Sequence, residues 1–126
     1  YIKDGATTGI ACLNTFKEPI SLLSSLALLK PNYKKINNYY LCFWLNNPKV
    51  KLKLLGEFMS GAAIQRYTLT KINSFQMLVP PITLQNQFAE RVAVIEAQKQ
   101  QAQLELAKSE ELFQSLLQRA FKGELN

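Results

Sequence analysis

The last third of the chain is one long run of helix-forming residues that starts just after a pair of prolines. No helix is expected to cross Pro80–Pro81, because the residue before a proline is disfavoured in the helical conformation. The stretch 84–121 contains no glycine or proline and is dominated by Ala, Gln, Glu, Leu and Lys. Thr83 is a suitable N-cap for it, and Gly123 a suitable C-terminal cap. The sequence therefore predicts a single helix over 84–121, which at ~1.5 Å per residue is about 57 Å long.

Positions at alternating spacings of four and three form a heptad stripe along this helix, which is apolar at both ends and weak in the middle at Lys99, Ala102 and Ser109. A helix of this length cannot bury such a stripe against its own small domain, so the pattern predicts pairing with a helix of a second copy or of another protein. The alternative, a helix that folds back on its own domain, needs a break that the sequence does not contain. The candidate pairing residues are Phe88, Val92, Ile95, Ala102, Leu106, Phe113, Leu116 and Ala120.

Positive charge is concentrated before the proline pair. Residues 1–80 carry ten Lys or Arg and three Asp or Glu, a net of +7, whereas residues 81–126 carry five and six, a net of −1. We therefore predict two domains, a basic domain over 1–80 and the long helix over 81–126. Such a basic domain is typical of a protein that meets a polyanion, although a solvated lysine surface has the same composition.

The basic domain alternates short elements, and its expected fold class is α+β. Strands are predicted at 1–3, 10–13, 26–30 and 75–79, with a glycine-rich turn after the first. Helices are predicted at 39–45 after a cap at Asn37 or Asn38, at 48–57 after Asn47, and as a single turn at 71–74 after Thr70. The whole chain is thus expected to be a small mixed α/β domain followed by one long coiled-coil helix.

Composition argues against enzymatic chemistry. The chain has no histidine and a single aspartate, Asp4, so it lacks histidine-dependent nucleophiles, histidine metal ligands and clustered aspartates. It also has no Gly-x-x-x-x-Gly-Lys-Ser/Thr loop for a nucleotide. Cys12 and Cys42 match no zinc or redox spacing, and we expect both to be buried thiols. No catalytic residue, metal site or cofactor is predicted.

The longest apolar stretch, Ile20–Leu29, is ten residues interrupted by three serines. A membrane-spanning helix needs ~20 apolar residues, and no signal-peptide pattern opens the chain. We therefore expect a cytoplasmic protein that does not interact with a membrane. The chain begins without Met, so we also expect it to be part of a longer product.

Several segments occur in a distinctive order along the chain. They are the turn Lys3–Gly9, the aromatic segment Asn38–Asn46, Ser60–Ala63, Thr70–Ile72, Val79–Gln85, and a tail at 109–125 that ends in Leu-Leu-Gln-Arg-Ala-Phe-Lys-Gly-Glu-Leu. In this order they resemble the DNA-specificity subunit of type I restriction-modification enzymes. The resemblance covers essentially the whole chain, and it rests on the order of these segments, ending in the tail.

The resemblance implies a target-recognition domain that reads one half of a split DNA site, followed by a helix that pairs antiparallel with another. It implies a non-catalytic protein whose partners are double-stranded DNA, the methyltransferase and restriction subunits, and a second specificity half or a second copy. A full subunit contains this unit twice, whereas the chain contains it once and lacks the recognition-domain portion expected ahead of Tyr1. The alternative reading is a coiled-coil adaptor whose basic domain binds an acidic protein or an anionic surface.

A recognition domain must hold the phosphate backbone and read base edges. In the segment 65–67, Gln can bridge N6 and N7 of adenine, Arg can fork onto guanine, and Tyr can stack or contact phosphate. The glycine-rich turn can bring backbone N–H groups and two threonine hydroxyls to a phosphate. The candidate DNA-contact residues are Lys3, Thr7, Thr8, Lys34, Lys35, Gln65, Arg66, Tyr67 and Lys71.

Overall fold

The computed structural model describes residues 1–59 and 66–124. In these ranges the chain forms helices but no β-strand or sheet. The helices are α1 (Asn38–Asn46), α2 (Pro48–Met59), α3 (Leu69–Asn73) and α4 (Ile82–Phe121). The chain divides into two compact units, Tyr1–Ala89 and Glu90–Asn126. The first turns of α4 belong to the first unit, and the remainder of α4 makes up most of the second.

The predicted α+β fold class is wrong, because none of the four predicted strands forms part of a sheet in the described residues. Antiparallel pairing is limited there to two isolated positions, Ile2 with Leu26 and Asp4 with Arg66. Gly5 (φ +100°) and Gly9 (φ +90°) reverse the chain immediately after Asp4. The extended segment before this turn is therefore too short to build a ladder of hydrogen bonds.

The segment predicted as a strand at 10–13 is held by a side chain instead of a neighbouring strand. The Asn46 carboxamide oxygen accepts from the Ala11 N–H at 3.0 Å, and its Nδ2 donates to the Ala11 carbonyl at 2.8 Å. A carboxamide carries the same donor and acceptor as a peptide group. The Ala11 backbone is thus satisfied at the C-terminal end of α1 without any β pairing.

Helices α1 and α2 confirm the predictions made from their capping residues. The Asn37 side chain accepts from the N–H groups of Tyr39 and Tyr40, and α1 begins at the next residue. The Asn47 side chain accepts in the same way from the N–H groups of Lys49 and Val50, and α2 begins at Pro48, directly after Asn47. Both asparagines satisfy N–H groups that the first turn of a helix leaves without a partner.

Helix α3 begins two residues earlier than predicted, because Thr68 and not Thr70 accepts from the Lys71 N–H. Helix α4 begins at Ile82, where the Pro81 carbonyl accepts from the N–H groups of Leu84 and Gln85. Its end at Phe121 is as predicted. Gly123 (φ +71°) and the bond from the Glu124 N–H to the Arg119 carbonyl close the last turn.

The core of the first unit gathers one residue from each of its three short helices and three from the connecting segments. These are Leu45, Leu54, Ile72, Ala11, Ala27 and Tyr67. On α2, Leu54 is buried and Val50 and Leu55 are half-buried, so these three residues form its inner face. The prediction of two buried thiols is wrong, since Cys42 is half-buried and Cys12 is exposed.

One buried glutamine ties the start of α4 to the rest of the first unit. Gln85 is 1 % exposed, and its Oε1 accepts from the Asn37 N–H at 2.9 Å. Its Nε2 donates to the carbonyls of Lys35 (2.9 Å) and Pro80 (2.7 Å). Phe88, one turn further on, packs edge-on against the rings of Tyr40 and Phe43, with ring centroids 6.2 and 5.5 Å away.

The second unit consists mainly of the exposed part of α4. Every described side chain from Ala93 to Glu124 is exposed except Leu117, which is half-buried. Large apolar residues on this length of helix are therefore open to solvent. Among the described residues, no helix is long and apolar enough to cross a membrane.

Candidate nucleic-acid interface

The glycine-rich turn between Lys3 and Gly9 is tightly bonded to itself. The N–H groups of Thr8, Gly9 and Ile10 donate to the carbonyls of Gly5 (3.1 Å), Ile2 (2.8 Å) and Thr7 (3.3 Å). The Thr8 side chain is buried, and its hydroxyl donates to the Gly5 carbonyl at 2.6 Å. Thr8 therefore shapes the turn from inside, whereas Thr7 lies exposed on the outer side.

Arg66 lies beside this turn in an ion pair with Asp4. The Arg66 Nε and Nη2 donate to one oxygen of Asp4, Oδ2, at 2.8 and 2.6 Å. The Arg66 side chain is 65 % exposed and that of Asp4 is 20 % exposed. The backbones are joined as well, because the Tyr67 N–H donates to the Lys3 carbonyl at 2.7 Å. Lys3, Asp4 and Thr7 thus lie in or beside one turn, and Arg66 is bound to Asp4; we call these four residues the turn patch.

Lys51 of α2 also belongs to the turn patch, although the sequence did not identify it. The stem of Lys51 lies so close to Gly9 that a β-carbon at that position would be 3.1 Å from the Lys51 Cε. Asp4 was likewise missed as a site residue. The sequence did contain a signal for it, because Asp4 is the single aspartate of the chain and lies in a glycine-rich turn.

Tyr67 and Lys71 have roles inside the first unit. Tyr67 is fully buried, with its ring centroid 5.9 Å from that of Tyr1 and 5.2 Å from that of Phe75. Burial raises the pKa of the Tyr67 phenol above its ordinary value, and also that of Tyr1, which the neighbouring Tyr67 raises further. The Lys71 Nζ donates to the Phe58 carbonyl at 2.6 Å, so its ammonium group binds the C-terminal end of α2.

Lys34 and Lys35 occupy a different turn, which precedes α1. The N–H groups of Lys34 and Lys35 donate to the side chain and to the carbonyl of Asn32, and both side chains are exposed. The structure therefore places Lys3, Thr7 and Arg66 in or beside one turn, and none of the hydrogen bonds or ion pairs of the described residues joins Lys34 or Lys35 to them. Gln65 and the segment Ser60–Ala63 lie outside the described residues.

Most of the positive charge in the described part of the first unit has no carboxylate partner. In the ranges 1–59 and 66–89, Arg66 pairs with Asp4, Lys53 lies 3.6 Å from Glu57, and Lys71 binds a carbonyl. The other lysines in these ranges make no ion pair; they are Lys3, Lys17, Lys30, Lys34, Lys35, Lys49 and Lys51. Within the described residues, no three His, Cys, Asp or Glu side chains come together in a group that could hold a metal ion.

The predicted pairing stripe of α4 divides into two parts. Phe88 packs within the first unit, as described above, and Val92 is buried. The other six residues of the stripe are exposed in the second unit; they are Ile95, Ala102, Leu106, Phe113, Leu116 and Ala120.

Comparison with known proteins gives a similarity to part of a longer protein. No protein-family model matches the chain, and no solved structure matches it. Over 88 residues the chain is 30 % identical to a protein of Methanocaldococcus jannaschii named "Putative type I restriction enzyme MjaX specificity subunit". The aligned stretch covers 66 % of this chain and 20 % of that protein, so the chain matches about a fifth of the relative's length. The chain is thus similar to part of a restriction-enzyme specificity subunit.

Proposed function

We propose that this chain is a portion of a DNA-specificity subunit of a type I restriction-modification system. The observation that carries the proposal is the similarity over 88 residues to a protein of that name. The ordered motifs from the turn Lys3–Gly9 to the tail at 109–125 support it independently, because they lie along the whole chain. In this proposal the chain is a cytoplasmic, non-catalytic protein. It selects the DNA sequence on which methyltransferase and restriction subunits act.

The distribution of charge in the first unit fits a DNA-binding role. Seven lysines without a carboxylate partner leave this unit with excess positive charge, and phosphate contacts by such groups supply most of the sequence-independent affinity for DNA. Lys3, Lys34, Lys35 and Lys51 are the proposed phosphate contacts. The exposed Thr7 hydroxyl is proposed to contact a phosphate as well, and Arg66 is the group proposed to lie near base edges.

The exposed stripe on α4 fits a role in assembly. Apolar side chains at heptad spacing on a solvent-exposed helix are typical of a surface that pairs with another helix. We propose that a second specificity half, or a second copy of the chain, pairs there. The pairing would hold two recognition units apart and contribute to the docking of the methyltransferase subunits.

Selection of bound duplexes from a random DNA pool tests this function. The full chain is used at about 150 mM salt, with the methyltransferase subunit of its system present, so that nonspecific binding is weak. We expect enrichment of a half-site of roughly three to five base pairs. Recovery of unselected sequence would count against a specificity role. It would favour the adaptor reading, in which the basic unit binds an acidic protein or an anionic surface.

A further inference from the structure

The ion pair between Asp4 and Arg66 leaves one edge of the guanidinium group open. Arginine has five N–H donors in a fixed plane. Two of them, on Nε and Nη2, are bound to the Asp4 carboxylate at 2.8 and 2.6 Å. The three that remain lie on Nη1 and on the far side of Nη2. The side chain is 65 % exposed, and its hydrogen bonds to Asp4 leave this second edge unoccupied among the described residues.

The ion pair is anchored on both sides by the backbone. Asp4 and Arg66 form an antiparallel bridge, and the Tyr67 N–H donates to the Lys3 carbonyl at 2.7 Å. Tyr67 is fully buried between the rings of Tyr1 and Phe75, which fixes the backbone next to Arg66. The backbone of Arg66 is therefore fixed, and the ion pair with Asp4 restrains its side chain. Binding a ligand then costs less side-chain conformational entropy.

We propose that Arg66, held by Asp4, reads a guanine through its free edge, and that Asp4 is the positioning residue for this contact. The inference rests on the proposed function, since it names how the turn patch recognises DNA. Parallel N–H groups on Nη1 and Nη2 match the O6 and N7 acceptors that guanine presents in the major groove. An arginine whose other edge is fixed presents these donors in one orientation.

The charge of the ion pair favours a base over a phosphate as the ligand. With Asp4 less than 3 Å away, the pair is close to neutral as a whole, so its attraction for a phosphate is weakened. Guanine O6 and N7 are neutral acceptors, and their recognition depends on the direction of the donors. The unpaired lysines of the first unit are the better phosphate ligands.

The test uses the duplex enriched by the full chain in the selection described above. Each guanine of the half-site is replaced in turn by 7-deazaguanine, which removes the N7 acceptor and keeps base pairing. For the unaltered protein we expect one position at which this replacement weakens binding by roughly tenfold to a hundredfold. Arg66→Lys keeps the charge but lacks the forked edge, so its sensitivity at that position should fall to less than about threefold.

Asp4→Asn separates positioning from simple electrostatics. Removing a negative charge should leave binding to scrambled duplex as tight as in the unaltered protein or tighter. Discrimination at the sensitive guanine should nevertheless fall several-fold, because the guanidinium is no longer held. Lys53→Gln is the matched control, since it breaks the exposed pair with Glu57 and should leave the response to 7-deazaguanine unchanged.

Three outcomes would overturn the inference. Arg66→Lys could keep full sensitivity at every guanine, or could weaken binding to enriched and scrambled duplex by the same factor, as a phosphate contact does. The exchange variant with Asp4→Arg and Arg66→Asp could restore discrimination, which would make the pair a structural clamp only. If the unaltered chain enriches no sequence, the proposed function itself fails, whereas the other results leave it standing.

Discussion

The side-chain oxygen of Gln85 accepts the backbone N–H of Asn37 at 2.9 Å, across 48 positions of sequence. Because the Gln85 amide also donates to the carbonyls of Lys35 and Pro80, one buried side chain satisfies three backbone groups. We expect Gln85→Ala to lower the free energy of unfolding by about 2–3 kcal/mol, since buried groups lose their partners. Urea unfolding of the full chain measures this, and Gln87→Ala, at an exposed position of the same helix, should change it by less than about 0.5 kcal/mol. Equal effects of the two variants would contradict the role given to Gln85.

The exposed stripe of α4 predicts association that depends on two apolar residues. Phe113→Glu together with Leu116→Glu introduces charge at heptad core positions and should abolish helix-mediated association. Sedimentation velocity of the full chain measures the change in mass. The control adds the same charge off the stripe, with Gln114→Glu and Gln118→Glu, and should leave the mass unchanged. An unaltered mass in the first variant would remove these residues from the interface.

Tyr67, which is buried, and Tyr1, which is half-buried, predict a loss of stability at high pH. Burial raises the pKa of Tyr67 and of Tyr1 above the ordinary value of 10.0, so the folded chain holds their protons when the unfolded chain releases them. Their contribution is complete below about pH 10 and is lost as the pH rises toward the folded values. Tyr67→Phe keeps the ring and removes one such group, so its free energy of unfolding should decline less steeply above pH 10. Parallel slopes for both proteins would argue against this assignment.

The unpaired lysines predict a graded dependence of DNA affinity on salt. Lys34→Gln removes one proposed phosphate contact, so binding should weaken by a similar factor for all sequences. The slope of log affinity against log salt should become shallower by about one. Titration of enriched and scrambled duplexes at several salt concentrations measures both quantities. A loss confined to the enriched duplex would instead make Lys34 a specificity residue.

The two thiols predict different reaction rates. Cys12 is exposed, whereas Cys42 is half-buried. The pKa of the Cys42 thiol is raised, mainly because the thiol is partly buried and to a smaller extent because Cys12 lies nearby. The thiolate is the reactive form, so at about pH 8 iodoacetamide should modify Cys12 at least about fivefold faster than Cys42. Mass spectrometry of timed digests distinguishes the two sites. Faster labelling of Cys42 would contradict the arrangement of this segment.

The helices could be predicted because their signals are local. Asn37 and Asn47 each lie just before a helix that they cap, and a run without glycine or proline ends at Phe121 with a glycine two residues beyond. The strand predictions were wrong because the sequence of an apolar, extended segment does not show which groups will form hydrogen bonds with its backbone. Ala11 finds its hydrogen bonds in the side chain of a helix residue 35 positions away.

The candidate site was predicted only in part for a related reason. Polarity suggested that Tyr67 and Thr8 would face DNA, but tertiary packing buries both. Gln85 shows the reverse, because nothing in the sequence distinguishes it from the exposed glutamines of the same helix. The ion pair between Asp4 and Arg66 joins residues 62 positions apart in sequence, so no local sequence pattern predicts it.

The amide of Asn46 also limits the number of unpaired backbone groups in the apolar run at 10–13. An apolar extended segment with unpaired N–H and C=O groups is a template to which a second chain can add a strand. By occupying both backbone groups of Ala11, Asn46 removes a place at which such addition could begin. At Ala11 a single side chain therefore has the role that an edge-covering helix or a charged border has in other folds.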